Sequence, residues 1–163
     1  MTTDSALLEE LAGLTGLDLA RGLRTARQSP AKLLHYLACF AALHANEARQ
    51  LRDLIAQAEP ASALRLAHNL KGVALGLGLN HISSIAAELE RQLRPPQPAT
   101  LAETKPLLTE LAQQLRQQCQ AIRQLRERYP AAGPTCQPPA QPQAGEKPAA
   151  ESMDERVTSI LDR

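Results

Sequence analysis

Leucine and alanine recur at three- and four-residue steps from Leu33 to Leu125, and prolines fall mostly at the joints between the runs. A period near 3.6 allows helices with one apolar face each and excludes half-buried strands, whose faces alternate at every second residue. Composition agrees: hydrophobic residues make up 44% of the chain and aromatic residues only 2%. Valine, isoleucine and tyrosine are scarce, so the apolar content is mostly leucine and alanine, which favour helix over strand. The sequence predicts an all-α protein, and 163 residues make about one domain with a single core.

Residues 4–11 and 18–27 read as two short helical pieces separated by a joint between Gly13 and Gly16. The first strong helix opens at Ser29, a suitable N-cap, with Pro30 in the first helical position, where its missing N–H does no harm. Leu33, Leu37, Phe40, Ala41, His44, Ala48, Leu51, Leu54, Ile55 and Ala58 then predict one long amphipathic helix ending near Glu59. Pro60 starts the second, with Ala63, Leu66, Ala67, Leu70, Val73, Ala74 and Leu77 inward and Gly76 and Gly78 marking its end.

The third runs from about Asn80 to Arg94 with Ile82, Ile85, Ala86, Leu89 and Leu93 inward, and "PPQP" at 95–98 stops it. The fourth begins at "TLAE", residues 100–103, which has capping-box spacing, with Pro106 either kinking the helix or marking its true start. Leu101, Leu108, Leu111, Leu115, Cys119, Ile122, Leu125 and Tyr129 form its stripe. Four such helices on short connections pack most simply as an antiparallel up-and-down four-helix bundle, here preceded by one or two short N-terminal helices.

The expected domains are an N-terminal helical extension over 1–16, the bundle over 17–129, a Pro/Gln-rich flexible linker over 130–150 and a short terminal segment over 151–163. That last segment can form a short helix, which either docks weakly on the bundle or opens a further element.

A formal net charge of +1, from 18 basic and 17 acidic residues, gives no whole-molecule field for nucleic acid or an anionic membrane. The three cysteines, at 39, 119 and 136, form no metal-binding spacing, and their odd number argues against a secreted disulfide framework. The N-terminal stretch lacks the basic start and apolar run of a signal peptide, and no stretch of about 18 apolar residues occurs. A soluble, cytoplasmic, monomeric chain without membrane contact is the expectation.

On the second helix the inward stripe centres on Leu66, Leu70, Val73 and Leu77, which places His68 roughly 160° from Leu66 and Leu70, on the solvent side. Leu64, Arg65, Lys71, Gly72 and Leu75 surround it there. A neutral imidazole has a free lone pair on one ring nitrogen and can act as a nucleophile. Lys71, one turn on, can offer a positive charge to an anion attached to that ring. Gly72 at i+4 removes a side chain that would crowd it, although glycine in a helix interior costs roughly 1 kcal/mol relative to alanine. Leu64, Arg65 and Leu75 supply a docking surface.

"AHNLKG", residues 67–72, resembles the phosphoacceptor motif of histidine-containing phosphotransfer (HPt) domains, the four-helix modules of two-component phosphorelays found alone or in hybrid sensor kinases. "GLGLNHISSIAAELE", residues 76–90, is similar to that family's following block, and the likeness covers about residues 17–128. The resemblance implies that His68 takes a phosphoryl group on Nε2 from a receiver-domain aspartyl phosphate and passes it to a second receiver aspartate. It gives Lys71 the charge-stabilising role and Gly72 the clearance role. Glu90 stands where relatives often place a polar residue, frequently a neutral glutamine, that holds the other ring nitrogen. Its carboxylate either accepts from Nδ1–H, fixing the reactive tautomer, or is tied up by Arg91 or Arg94. Arg94 would face the phosphoryl group.

The implied partners are response-regulator receivers, a hybrid sensor kinase, or both. No nucleotide-binding loop or kinase motif occurs, so the expected cofactor list is empty, with Mg²⁺ supplied by the partner receiver. The competing expectation is a non-catalytic helical adaptor, or a degenerate relative that binds without transfer. The remaining histidines read more plainly: His44 as a hydrogen-bonded core residue, His35 and His81 as surface and capping-region residues, with no metal site among them. Cys39 and Cys119 read as small core hydrophobes and Cys136 as a free thiol in the tail.

Overall fold

The computed structural model describes residues 2–130, and within them seven helices: α1 (Thr3–Ala12), α2 (Leu19–Thr25), α3 (Pro30–His44), α4 (Glu47–Ala56), α5 (Pro60–Leu77), α6 (Asn80–Leu93) and α7 (Leu101–Arg128). No strand occurs among the described residues, only an isolated antiparallel bridge between Leu17 and Leu79. The fold is all-α. The linker expected after Pro130, the terminal segment 151–163 and Cys136 lie outside the described residues.

Local chemistry sets most helix starts. Thr2, Asp18 and Ser29 each accept a backbone N–H of the first turn with their side chains, which satisfies a donor that the helix leaves unpaired. Pro30 and Pro60 occupy the opening turns of α3 and α5. At α7 the full capping box forms: Thr100 N–H donates to Glu103 Oε2 at 2.7 Å, and Glu103 N–H donates to Thr100 Oγ1 at 3.3 Å. Thr100 is therefore the true start, and Pro106 lies within the helix. α6 ends at Leu93 because Arg94, which precedes Pro95, is extended, as a residue before proline prefers.

The core is mainly leucine. Leu33, Leu37, Leu51, Leu70, Leu89, Leu111 and Leu115 are almost wholly buried, around Phe40, and each such leucine contributes roughly 1.5–3 kcal/mol through apolar surface removed from water. α5 packs on α6, α6 and both α3 and α4 pack on α7, and α4 packs on α5. The stripes expected on α6 and on α7 from Leu108 to Leu125 are buried; Leu101 and Tyr129 are half-buried against the core.

Two expectations need correction. The single helix expected from Pro30 to Glu59 is two, α3 and α4, broken at Ala45 and Asn46 and ended at Ala56. Ala45 stays helical (φ −57°, ψ −30°) and Asn46 departs only to φ −105°, ψ 8°, so the apolar phase runs through the break undisturbed. There the half-buried His44 stacks on Phe40 at 4.8 Å between ring centroids, and its Nδ1 lies 2.6 Å from the buried Glu47 carboxylate. On α5 the buried residues are Ala63, Ala67, Leu70, Ala74 and Leu77, with Leu66 half-buried and Val73 40% exposed. The inward face is thus turned by roughly 50° toward the alanines relative to the sequence reading. Small residues let α5 approach its neighbours closely, and Val73 is carried out to solvent.

The N-terminal segment clasps the turn between α5 and α6. Asp18 N–H donates to the Gly78 carbonyl at 2.7 Å, and Asn80 Nδ2 donates to the Asp18 carboxylate at 3.3 Å. Gly78 has φ +83°, and a Cβ there would lie 2.2 Å from the Asp18 carbonyl oxygen. Glycine is required twice over, by its left-handed backbone and by the contact.

Candidate functional site

The α5–α6 hairpin carries the site. The Ser83 hydroxyl on α6 donates to the Lys71 backbone carbonyl on α5 at 3.0 Å, which ties the two helices together beside the exposed histidine. The His68 side chain is 64% exposed. Its Nδ1 lies 3.2 Å from Glu90 Oε1, and among the described residues nothing bonds Nε2. A carboxylate only accepts, so the neutral ring presents Nδ1–H to Glu90 and keeps its lone pair on Nε2.

Glu90 is buried and gathers three donors. Beside His68 Nδ1 it takes Lys71 Nζ at 2.5 Å on Oε2 and Arg94 Nη2 at 2.9 Å on Oε1. The Lys71 bond above all, then Arg94 and His68, pulls its carboxyl from the ordinary 4.5 down to about 2, against the opposing effect of burial. Glu90 is therefore ionised throughout the neutral range. One carboxylate thus stands against two basic side chains beside the ring.

The two contacts that the sequence offers as alternatives occur together, Glu90 Oε1 lying 3.2 Å from His68 Nδ1 and 2.9 Å from Arg94 Nη2. Arg91 turns instead to Glu88, with Nε at 2.9 Å and Nη2 at 2.5 Å. Lys71 is also not the free outer-face cation expected: it stands half-buried on the flank between α5 and α6, because the inward arc is turned toward it. Gly72 is bare as expected, and an added Cβ would meet nothing within 4 Å. An open groove of about 420 Å³ beside the ring is lined by Leu64, Arg65, His68, Asn69, Glu90 and Arg94. Leu75, 41% exposed, shares the outer face but stands about 16 Å along the axis from Leu64. The proposed docking residues thus make a strip rather than a cluster.

Asn69 and Ser83 escaped the sequence reading. Asn69 follows the histidine directly and could have been found on the helical wheel; Ser83 sits among core positions of α6, and only the hairpin's register gives it a role. His44, expected as a hydrogen-bonded core residue, makes its bond to Glu47 but is half-buried, and His81, 51% exposed at the start of α6, pairs with Glu110 at 2.8 Å. Cys119 is buried, which raises its thiol pKa. Among the described residues no group of histidine, cysteine and acidic side chains could hold a metal ion, and no helix is long and apolar enough to cross a membrane.

A family model described as the Hpt domain matches residues 35–125. No curated protein and no solved structure matches the chain.

Proposed function

The chain belongs to the Hpt domain family, and from that premise we propose that it is a phosphorelay intermediate whose acceptor is Nε2 of His68. Family membership implies a phosphotransfer-related role in two-component signalling, with receivers and kinases as partners. The observation that carries the finer reading is the bond between His68 Nδ1 and Glu90 on an otherwise exposed ring, which leaves the outward nitrogen as the nucleophile.

In the forward step the Nε2 lone pair attacks the phosphorus of a receiver's aspartyl phosphate. The bond from phosphorus to the carboxyl oxygen breaks, and its electron pair returns to the aspartate. The ring then bears the phosphoryl group on Nε2 and a proton on Nδ1, and Glu90 offsets the resulting positive charge. Lys71 and Arg94 supply positive charge near the transferred group, and Gly72 leaves room for the receiver. Reversal toward a second receiver completes the relay, and Mg²⁺ would come with the receiver's own acidic pocket. In this reading α3 with α4, α5, α6 and α7 are the four rods of an antiparallel up-and-down bundle, working as a cytoplasmic monomer.

A second reading, an adaptor that binds a receiver or kinase without transfer, draws on the engagement of Lys71 and Arg94 by Glu90 before any phosphate arrives. Incubation with a panel of phosphorylated receivers, including those encoded nearby, separates the two. Label is expected on the wild-type chain and absent from His68→Gln with helicity unchanged. Unlabelled wild-type chain would leave the adaptor standing.

A further inference from the structure

Between α4 and α7 runs a second groove, of about 610 Å³, which shares no residue with the one beside His68. Along α7, Leu101, Lys105, Leu108, Ala112 and Arg116 recur at steps of three and four, so apolar and basic side chains share one stripe of the helix. The apolar members make the floor: Leu108 is buried, as is Ala48 of α4, while Leu101 and Ala112 are half-buried against the core. The basic members stand exposed on the rim, where Arg49 and Arg52 of α4 join Lys105 and Arg116.

No carboxylate lines this groove. Arg52 reaches Asp53 at 3.6 Å in a pair exposed on both sides, and among the described residues Arg49, Lys105 and Arg116 form no ion pair. In a chain of net charge +1, four cations around one apolar floor are a local excess. We propose that the α4–α7 groove docks an acidic amphipathic helix of a partner protein, with the helix's apolar face on Leu101, Leu108 and Ala112 and its carboxylates toward the basic rim.

Shape and charge select that occupant together. Lys105 and Arg116 stand about 16 Å apart along α7 at 1.5 Å per residue, the length of three turns of an incoming helix. A trough between two helices accepts the ridge of a third. A nucleic-acid backbone would use the cations and leave the leucines uncovered, and a flat anionic bilayer would meet the rim without reaching a floor recessed between two rods. A second copy offers too little: α1, with Asp4 and Glu9 exposed, presents a single exposed leucine, Leu8. Exposed ion pairs contribute little each, so the floor supplies the affinity while the rim sets which sign of charge is accepted and how fast it arrives. Because the two grooves share no residue, occupancy here and transfer at His68 are separately measurable.

The probe is a stapled helical peptide of roughly eleven residues, with leucine along one face and glutamate on both flanks, titrated into the full chain carrying labelled leucine and alanine methyls. Saturable binding should shift the methyls of Leu101, Leu108 and Ala112 and leave those of Leu64 and Leu75 in place. Arg49→Glu with Arg52→Glu, both at exposed positions, should weaken it about tenfold with helicity unchanged, and added salt should slow association. A peptide of the same composition scrambled to lose its apolar face should not bind, nor should one with lysine in place of glutamate. Wild-type chain that takes up no peptide, shifts centred on Leu64, or equal affinity for the scrambled or lysine peptide would each overturn the proposal. So would concentration-dependent shifts of the groove methyls in the chain alone, which would make a second copy the occupant, or sedimentation with phosphatidylglycerol vesicles in place of peptide binding, which would make it a membrane surface.

Discussion

Gly72 and Gly78 lie on the same helix and its cap, yet they are bare for opposite reasons. Around Gly78 the molecule is closed: the Asp18 carbonyl presses against the backbone, and the φ of +83° excludes ordinary side chains. Around Gly72 it is open, with nothing within reach of an added methyl. One glycine serves the fold, locking the N-terminal segment onto the α5–α6 turn, and the other leaves the outer face of α5 bare. On the same hairpin, one turn before Gly72, His68 Nδ1 lies 3.2 Å from Glu90.

The sharpest way to break this contrast is Gly78→Ala. It meets both a left-handed backbone and a backbone oxygen, and should cost roughly 2–4 kcal/mol of unfolding free energy by urea denaturation. A loss below about 0.5 kcal/mol would mean that the clasp yields easily.

Next in size is Glu90→Gln. The folded carboxyl is held near 2 against an ordinary 4.5, so its contribution to stability is fully present above about pH 4.5 and fades as pH falls toward 2. The wild type should therefore lose stability between pH 5 and pH 3 more steeply than the variant. Parallel denaturation midpoints at the two pH values would show that the carboxylate is not held by its cations.

The smallest effect belongs to Gly72→Ala. With open space around it, helix propensity should raise stability by up to about 1 kcal/mol, while phosphoryl exchange with a cognate receiver slows. A variant that loses stability would place Gly72 in a packed environment after all.

Much of this was legible beforehand, and the exceptions have physical causes. Caps at Ser29 and Thr100 are local hydrogen bonds written in adjacent residues, so the starts of α3 and α7 followed from sequence. The stripes of α6 and α7 did too, since bulky residues on one arc leave no doubt about its centre. On α5 the arc contains alanines, which count little as hydrophobes but pack closely; periodicity therefore weighted Val73 too heavily and missed that Lys71 flanks the inward face. The break at Asn46 hides because it preserves phase. The grouping of Lys71, Glu90 and Arg94 depends on hairpin register, and the fit of Asp18 to Gly78 depends on two segments remote in sequence.

The alanines at 63, 67 and 74 have a chemical consequence. By filling so little volume in the core they act as a gauge of how near α5 lies to the helices packed on it. A bulkier substituent at any of them would overfill the core and displace α5, and any shift of α5 against α6 would lengthen the contact between His68 and Glu90 without replacing a single polar atom.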